Sequence, residues 1–261
     1  MSTLSDPAEA RFERYLRERS YDQTREPDLG NGKHPDFLVR TPHQELVCEV
    51  KSFDTEGGFQ NAGSIGARAQ HEVLRPIRKQ IGKAAEQLKD IPDRPLVVVL
   101  VNPRRCPVPL DPVSVMAAMY GDITVEIPLS DEGTDAGATW TTGFNRKLAV
   151  VDPETGERVG GGYHEYISAV AVLRREDLAF MEWSRRWKER RRGSFSDSRE
   201  EAVVFLEEAS GDGAPHSDDV YLDIFETISN QAVPLSRKVF NGTHDRRWVP
   251  NETRTALVPL H

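Results

Sequence analysis

The chain has 261 residues, of which 38% are hydrophobic and 29% charged, and its formal net charge is −8. This composition is typical of a globular protein that buries a sizeable core, and the negative charge argues against a protein that coats nucleic acid by bulk electrostatics. The longest apolar run, Leu96 to Val101, is too short to span a bilayer, and residues 1 to 20 lack the apolar segment of a secretory signal. We therefore expect a cytoplasmic protein with no membrane partner.

The first predicted element is a helix near the start of the chain. Asp6 is suited to cap it, Pro7 to occupy its first turn, and Glu9 falls three residues after the cap. Its apolar stripe consists of Ala8, Phe12, Tyr15 and Leu16. At helical spacing Glu9 flanks this stripe, whereas Glu13 leans toward water.

Three strands are predicted next, in the order of a meander. Residues 20 to 26 form the first, and the turn after them contains Asp28, which we interpret as turn chemistry. Residues 34 to 53 form two more strands, joined by a turn at 41 to 43. In the last strand Leu46, Cys48 and Val50 fall on one face, and Glu45, Val47, Glu49 and Lys51 fall on the other.

Two carboxylates and one ammonium group are predicted to share a small patch on this hairpin. Asp36 begins the middle strand, so pairing brings it beside Glu49, and Lys51 points the same way as Glu49. Neighbouring carboxylates repel one another, and a divalent cation held by oxygen ligands commonly offsets that repulsion. Taken singly, Glu-x-Lys is usually a solvated ion pair and Pro-Asp an ordinary turn, but together they favour a metal site.

Pro35-Asp36, followed twelve residues later by Glu49-Val50-Lys51, resembles the PD-(D/E)XK signature of the restriction-endonuclease-like nuclease superfamily. The resemblance covers residues 5 to 103. It implies an α/β fold with a helix, a three-strand meander, a helix and a strand, built on a mixed central sheet flanked by helices. It also implies a nuclease in which Asp36, Glu49 and the carbonyl of Val50 bind Mg²⁺, with Mn²⁺ as a substitute. Lys51 would activate or orient water.

Two further residues enter through the same resemblance. A helix before the hairpin often supplies a metal-binding glutamate, for which Glu9 is the candidate, with a capping-box carboxylate as the alternative interpretation. The helix after the hairpin often supplies a polar residue near the scissile phosphate. Gln80 is the candidate there, ahead of Gln87, and a solvated helix edge is the alternative for both.

The next elements complete the order that the resemblance requires. Residues 57 to 66 are rich in glycine and are interpreted as a loop beside the site. A helix interrupted or restarted at Pro76 follows, with an apolar stripe of Ile77, Ile81, Ala84, Ala85 and Leu88. The continuous apolar run from Leu96 to Val101 predicts a strand buried on both faces.

The second half of the chain, residues 104 to 261, is predicted to elaborate this core within a single domain of residues 1 to 261. A helix is expected from Asp111 to Tyr120 and a strand from Ile123 to Leu129. A hairpin is expected around 152 to 156, and an apolar strand that extends the sheet is expected from Tyr166 to Leu173. Further predictions are a helix at 200 to 208, a strand at 220 to 227, and a tail from 231 that wraps the surface.

The helix predicted from Arg174 to Arg192 ends in a basic segment interleaved with Trp183 and Trp187. This segment is the strongest predicted nucleic-acid contact in the sequence. The residues expected to bind phosphate are Arg185, Arg186, Lys188 and Arg190. A solvated helix end whose basic residues suit the helix dipole is the alternative.

The sequence thus predicts a Mg²⁺-dependent nuclease, an endonuclease in preference to an exonuclease, with DNA as the expected substrate and RNA as the alternative. Because cutting both strands of a duplex commonly requires two sites, a homodimer is a further expectation. Two other functions stay open. One is an inactive module of the same fold that binds nucleic acid or a partner protein, and the other is an unrelated α/β hydrolase with its pocket elsewhere.

Overall fold

The computed structural model describes residues 7–30, 32–53, 70–102, 108–121, 123–126, 141–144, 149–151, 158–160, 164–175, 178–195, 197–210, 220–242, 244–252, 254 and 256–260. The first half contains α1 (Pro7–Glu18), β1 (Asp22–Arg25), β2 (Phe37–Arg40), β3 (Glu45–Ser52), α2 (Gln70–Leu88) and β4 (Leu96–Val101). The order of elements expected over this half is therefore the observed one. The loop expected at 57 to 66 and the cap Asp6 lie outside the described residues.

The second half contains α3 (Pro112–Tyr120), β5 (Ile123–Glu126), β6 (Thr141–Phe144), β7 (Ala149–Val151), β8 (Arg158–Gly160), β9 (Ala169–Arg175), α4 (Leu178–Arg190), α5 (Ser198–Ser210), β10 (Val220–Glu226), β11 (Arg246–Pro250) and β12 (Leu257–Pro259). Asp111 caps α3 as predicted, accepting a hydrogen bond from the Ser114 amide at 3.1 Å. The predicted hairpin is present as the antiparallel pair β7 and β8.

Eight strands form one mixed sheet in the order β1-β2-β3-β4-β9-β10-β11-β12. The meander β1-β2-β3 is antiparallel, β3, β4 and β9 are mutually parallel, and β10 returns antiparallel to β9. The protein is therefore an α/β protein. Strands from both halves of the chain belong to this sheet, because β9 pairs directly with β4.

The sheet buries an apolar layer on each face. The layer containing α1 includes Phe12, Tyr15 and Leu16 of the helix together with Phe37, Cys48 and Val50 of β2 and β3. The layer containing α2 and α3 includes Leu38, Val47, Val98, Leu100, Ile77 and Ile81. Both predicted helical stripes are buried, and all six residues of β4 are buried as expected for a central strand.

Two predictions about the second half are wrong in part. The helix predicted from Arg174 begins at Leu178, because Arg174 and Arg175 complete β9. The tail also does more than wrap the surface, since it supplies β11 and β12. Its Asp245 carboxylate is buried, accepts hydrogen bonds from the Tyr15 hydroxyl (2.7 Å) and the Leu222 amide (2.8 Å), and so joins the tail to α1 and β10.

Among the described residues, every helix is too short or too polar to cross a membrane.

Candidate functional site

The register of β2 and β3 brings Asp36 beside Glu49. The ladder ends with Phe37 opposite Cys48, so the next position pairs Asp36 with Glu49. Side chains alternate between the two faces of a strand, and Val47 belongs to the apolar layer beneath α2. Glu49 and Lys51 therefore leave β3 on the α2 face. Asp36 lies just before β2, and its carboxylate turns toward the main chain of β3, where it accepts a hydrogen bond from the Val50 amide.

Two hydrogen bonds fix the pair of carboxylates. The main-chain amide of Asp36 donates to Oε2 of Glu49 at 3.3 Å, and the amide of Val50 donates to Oδ2 of Asp36 at 2.6 Å. Each carboxylate is thus positioned by the backbone of the strand that carries the other. The convergence predicted from the sequence is present, with Asp36 and Glu49 locked together at the end of β2.

Glu49 has no exposed surface, and its charge is only partly compensated. Burial, with a smaller contribution from the Asp36 carboxylate, raises the pKa of Glu49 from 4.5 to about 7. The ammonium of Lys51 contacts Oε1 of Glu49 and opposes this shift. The three groups carry a net charge of −1 when ionised, and the burial of Glu49 limits the screening of its charge by water.

The carbonyl of Val50 lies where the β2 ladder stops. Continuing the register by two positions places Pro35 opposite Val50, and proline has no amide hydrogen to donate. The Val50 amide is already occupied by Asp36. The Val50 carbonyl points to the same side of β3 as the Val50 amide and therefore receives no ladder hydrogen bond from Pro35. Its oxygen lies beside the two carboxylates.

A groove of about 690 Å³ opens at this site. It is lined by Lys33, Lys51, Gln80, Lys83, Glu86 and Gln87. Gln80 donates from Nε2 to the carbonyl of Ser52 at 2.8 Å, so α2 is tied to the residue after Lys51. Gln80 and Gln87 both reach the groove, and Gln80 is the one bonded to the strand that carries Glu49.

Lys33 closes the groove from the loop before β2. Its ammonium donates to the carbonyls of Glu86 (3.1 Å) and Lys89 (2.6 Å) at the C-terminal end of α2. A cation at this end of a helix satisfies carbonyls that lack intrahelical partners and interacts favourably with the helix dipole. Lys33 therefore attaches the segment that leads into Asp36 to the helix that carries Gln80.

Comparison with protein-family models, curated proteins and solved structures gives no match for this chain. The resemblance to the PD-(D/E)XK nucleases therefore remains an expectation based on the spacing of Asp36, Glu49 and Lys51.

Glu9 is not brought to the pair of carboxylates. Its side chain forms an ion pair with Arg25 of β1, and Arg25 also lies 3.5 Å from Glu13. The helix α1 covers the sheet face that carries Val50, whereas the side chain of Glu49 leaves on the opposite face. Among the described residues, no group of three or more histidine, cysteine, aspartate or glutamate side chains is arranged to hold a metal ion.

The basic segment of α4 is exposed, but Trp187 within it is buried. Arg186, Lys188 and Arg190 are exposed, and Arg185 pairs with Glu189 at 2.6 Å. Trp187 is only 1% exposed, and its indole nitrogen donates to Glu208 of α5 at 2.7 Å. The ring therefore packs between α4 and α5 and offers no stacking surface to bases.

Sequence reasoning did not identify the second charged cluster of the sheet, formed by Asp223, Arg174 and Arg246. Asp223 lies within β10, is fully buried, and bonds both arginines. A signal was present in the sequence, since Asp223 is a charged residue inside the otherwise apolar run from Val220 to Phe225. Its partners were not readable, because they lie 49 and 23 residues away.

Proposed function

We propose that the protein is a metal-dependent nuclease that hydrolyses phosphodiester bonds, with DNA as its substrate. The observation that carries the proposal is the mutual anchoring of Asp36 and Glu49 beside Lys51, which lines a groove together with two further lysines and two glutamines. The element order α1-β1-β2-β3-α2-β4 supports a restriction-endonuclease-like core. A polyanionic substrate fits the three lysines of the groove.

The residues present fit a divalent cation. Mg²⁺ prefers oxygen ligands and is commonly held by one or two carboxylates together with water and substrate phosphates. Asp36, Glu49 and the Val50 carbonyl are the residues that would hold it, since carboxylate and carbonyl oxygens each have two lone pairs and so can bind a cation as well as accept a hydrogen bond. A cation there would also favour the ionised form of Glu49, whose pKa is raised mainly by burial and less by the Asp36 carboxylate. When bound, it would polarise the phosphate and lower the pKa of the attacking water.

The chain's own residues have separate tasks in this proposal. Asp36 and Glu49 are fixed by main-chain amides, so their oxygens are positioned before substrate binds, which positional catalysis requires. Lys51 is 20% exposed and faces the groove, so its ammonium is placed to stabilise charge that develops on the phosphate or to orient water. Gln80 holds α2 against β3 and lines the same groove.

A cleavage assay tests the proposal directly. Plasmid, linear and single-stranded DNA and RNA are incubated with wild-type protein in Mg²⁺, in Mn²⁺ and in chelator. We expect cutting of DNA that requires the metal. Asp36→Asn and Lys51→Gln should each lower the rate about 100- to 1000-fold, the loss typical of removing one group that stabilises transition-state charge.

Lys79→Gln is the matched control, since Lys79 is an exposed lysine of the same helix α2 but does not line the groove. It should retain cleavage within about threefold, the effect of one exposed charge. Circular dichroism and thermal unfolding check that each variant folds. Metal-dependent cutting that persists in the Asp36 variant would refute the site assignment.

A second candidate function is a binding module of the same fold without catalysis. The contact between Lys51 and Glu49 favours it, because the ammonium neutralises one of the two carboxylates without any metal. This function predicts nucleic-acid binding without cleavage in either metal, so the same assay distinguishes it from the nuclease.

A further inference from the structure

A cluster of one acid and two arginines lies on the same sheet face as Glu49 and Lys51. The Arg246 guanidinium donates from Nε to Oδ1 of Asp223 at 2.7 Å and from Nη2 to Oδ2 at 2.6 Å. Arg174 donates from Nη1 to Oδ2 at 2.6 Å. The cluster holds two positive charges against one negative charge.

Both arginines keep donors that the cluster does not use. Their side chains are 33% exposed for Arg174 and 48% for Arg246, while Asp223 has no exposed surface. A guanidinium has five N–H groups, and Asp223 accepts one from Arg174 and two from Arg246. Within the described part of the chain, the remaining N–H groups of these two arginines have no other hydrogen-bond acceptor. They face solvent.

The arginine at the exposed end is held in place by aromatic rings as well as by Asp223. The guanidinium carbon of Arg246 lies 5.4 Å from the ring centre of Trp248 and 6.0 Å from that of Tyr221. Trp248 in turn stacks on Phe225, with 4.7 Å between ring centres. The orientation of the Arg246 guanidinium is therefore set before any ligand binds, which lowers the entropic cost of binding.

The cluster is aligned with the candidate metal site. The registers place Lys51 opposite Leu100, Leu100 opposite Val172, Val172 opposite Asp223, and Asp223 opposite Arg246. All belong to one row across the sheet, on the face that α2 covers. At about 4.8 Å per strand, Asp223 lies about 14 Å from Lys51 along this row, and Arg246 about 19 Å.

Stability does not explain this arrangement. Burying an ion cluster costs desolvation energy, and apolar residues of similar volume are often at least as stabilising. Two fixed, planar guanidiniums with unused donors are instead the groups that recognise phosphate oxygens, often through two parallel hydrogen bonds. Because the chain has a net charge of −8, its binding of a polyanion also depends on local positive clusters of this kind.

We infer that Arg174 and Arg246 form a second phosphate-binding subsite around Asp223, which holds the backbone of the nucleic acid about 14 Å from the phosphate at Lys51. The inference rests on the proposed function for the class of its ligand. Asp223 acts as a positioning residue that fixes both guanidiniums. The subsite reads no bases, since phosphate contacts fix register without carrying sequence information.

The test measures binding separately from cleavage. A fluorescently labelled DNA duplex, long enough to span both clusters, is titrated with protein in chelator, and affinity is followed by anisotropy over a range of salt concentrations. For the double variant Arg174→Gln/Arg246→Gln we expect about tenfold weaker binding, and a slope of log affinity against log salt shallower by about 1 to 2.

The control double variant is Arg17→Gln/Arg40→Gln. It removes the same charge from two exposed arginines, one on α1 and one at the far end of β2. It should bind within about twofold of the wild type, because neither residue lies near the row. A third variant, Arg174→Gln/Asp223→Asn/Arg246→Gln, removes the buried carboxylate too, so a folded protein without the subsite exists even if the double variant unfolds.

The outcomes separate this inference from the proposed function. Equal affinity and equal salt slope for the folded subsite variants and the control would overturn the inference, even with Asp36-dependent cleavage intact. Absence of wild-type binding would overturn it too. Binding that depends on the two arginines, in a protein that cuts nothing in Mg²⁺ or Mn²⁺, would support the inference and refute the nuclease.

Discussion

The sheet carries two fully buried carboxylates on one face, and the clusters around them differ in the sign of their net charge. Asp223 is bonded by two guanidiniums, so its cluster has a net charge of +1. Glu49 has one ammonium and a second carboxylate as neighbours, so its cluster has a net charge of −1. The chain itself compensates the first acid fully and the second only in part.

This difference indicates what each cluster lacks. The Asp223 cluster has surplus N–H donors and suits an anion, whereas the Asp36 and Glu49 cluster has surplus oxygen acceptors and suits a cation. A strand of nucleic acid with its metal ion supplies both. The contrast can be tested by removing the charge of each acid in turn.

The largest expected effect is on stability. Asp223→Asn should lower the free energy of unfolding by about 3 kcal/mol, because it removes the charge of a fully buried carboxylate that accepts three hydrogen bonds from two guanidiniums. Glu49→Gln should change it by less than about 1 kcal/mol at pH 7, because the raised pKa of Glu49 shows that the site already favours an uncharged side chain. Urea denaturation of both variants measures the difference. A larger loss for Glu49→Gln than for Asp223→Asn would reverse the comparison.

The next effect is on the pH dependence of stability without metal. The pKa of Glu49 is raised from 4.5 in the unfolded chain to about 7 in the folded protein. The folded state therefore binds the proton more tightly, and the stability gained from it is present at acidic pH and lost as pH rises through 7. Between pH 5 and 8 the loss attributable to Glu49 should be about 2 kcal/mol.

Thermal and urea unfolding between pH 5 and 8, with and without Mg²⁺, measure this loss of stability. Glu49→Gln should abolish the part of the slope of unfolding free energy against pH that Glu49 contributes, whereas Arg40→Gln should leave that slope unchanged. Mg²⁺ should reduce the slope in the wild type, because a cation favours the ionised carboxylate. An identical slope in wild type and Glu49→Gln would show that the carboxyl titrates normally.

The smallest expected effect is that of Glu9→Gln. Glu9 pairs with Arg25 across the sheet from Glu49, and a partly exposed ion pair contributes about 0.5 kcal/mol. DNA cleavage should stay within about twofold of wild type. Glu13→Gln, which weakens the same arginine contact, is the matched control. A loss of cleavage specific to Glu9→Gln would mean that Glu9 joins the metal site after all.

Local patterns in the sequence were sufficient to predict the hairpin and its three central residues. Alternation along 45 to 51 determines which side chains share a face, and the turn at 41 to 43 determines the register. The buried strand Leu96–Val101 was equally clear, because an unbroken apolar run of that length is typical of a strand covered on both faces.

Other features could not be predicted, because they depend on contacts between residues that are far apart in the sequence. Glu9 lies beside the buried stripe as predicted, but Glu13 is no closer to water, since the two side chains are 23% and 24% exposed. A helical pattern also does not reveal which sheet face the helix will cover. Trp187 shows the same limit, since its burial depends on packing against Phe205 of α5, with 5.1 Å between ring centres. The strand Arg246–Pro250 was missed because Arg247 is charged but buried, and its partner Glu226 lies 21 residues away.

The anchoring of Lys33 bears on which positions of the chain tolerate substitution. Its two acceptors are main-chain carbonyls, which every amino acid possesses, so exchanging the side chains at 86 and 89 leaves both hydrogen bonds in place. The attachment of the segment before Asp36 to the end of α2 then depends on Lys33 and on few side chains of the helix end, of which Asp90 lies 3.7 Å from the ammonium. Substitution of Glu86, which lines the groove, can therefore change the charge of the groove while both main-chain hydrogen bonds of Lys33 stay in place.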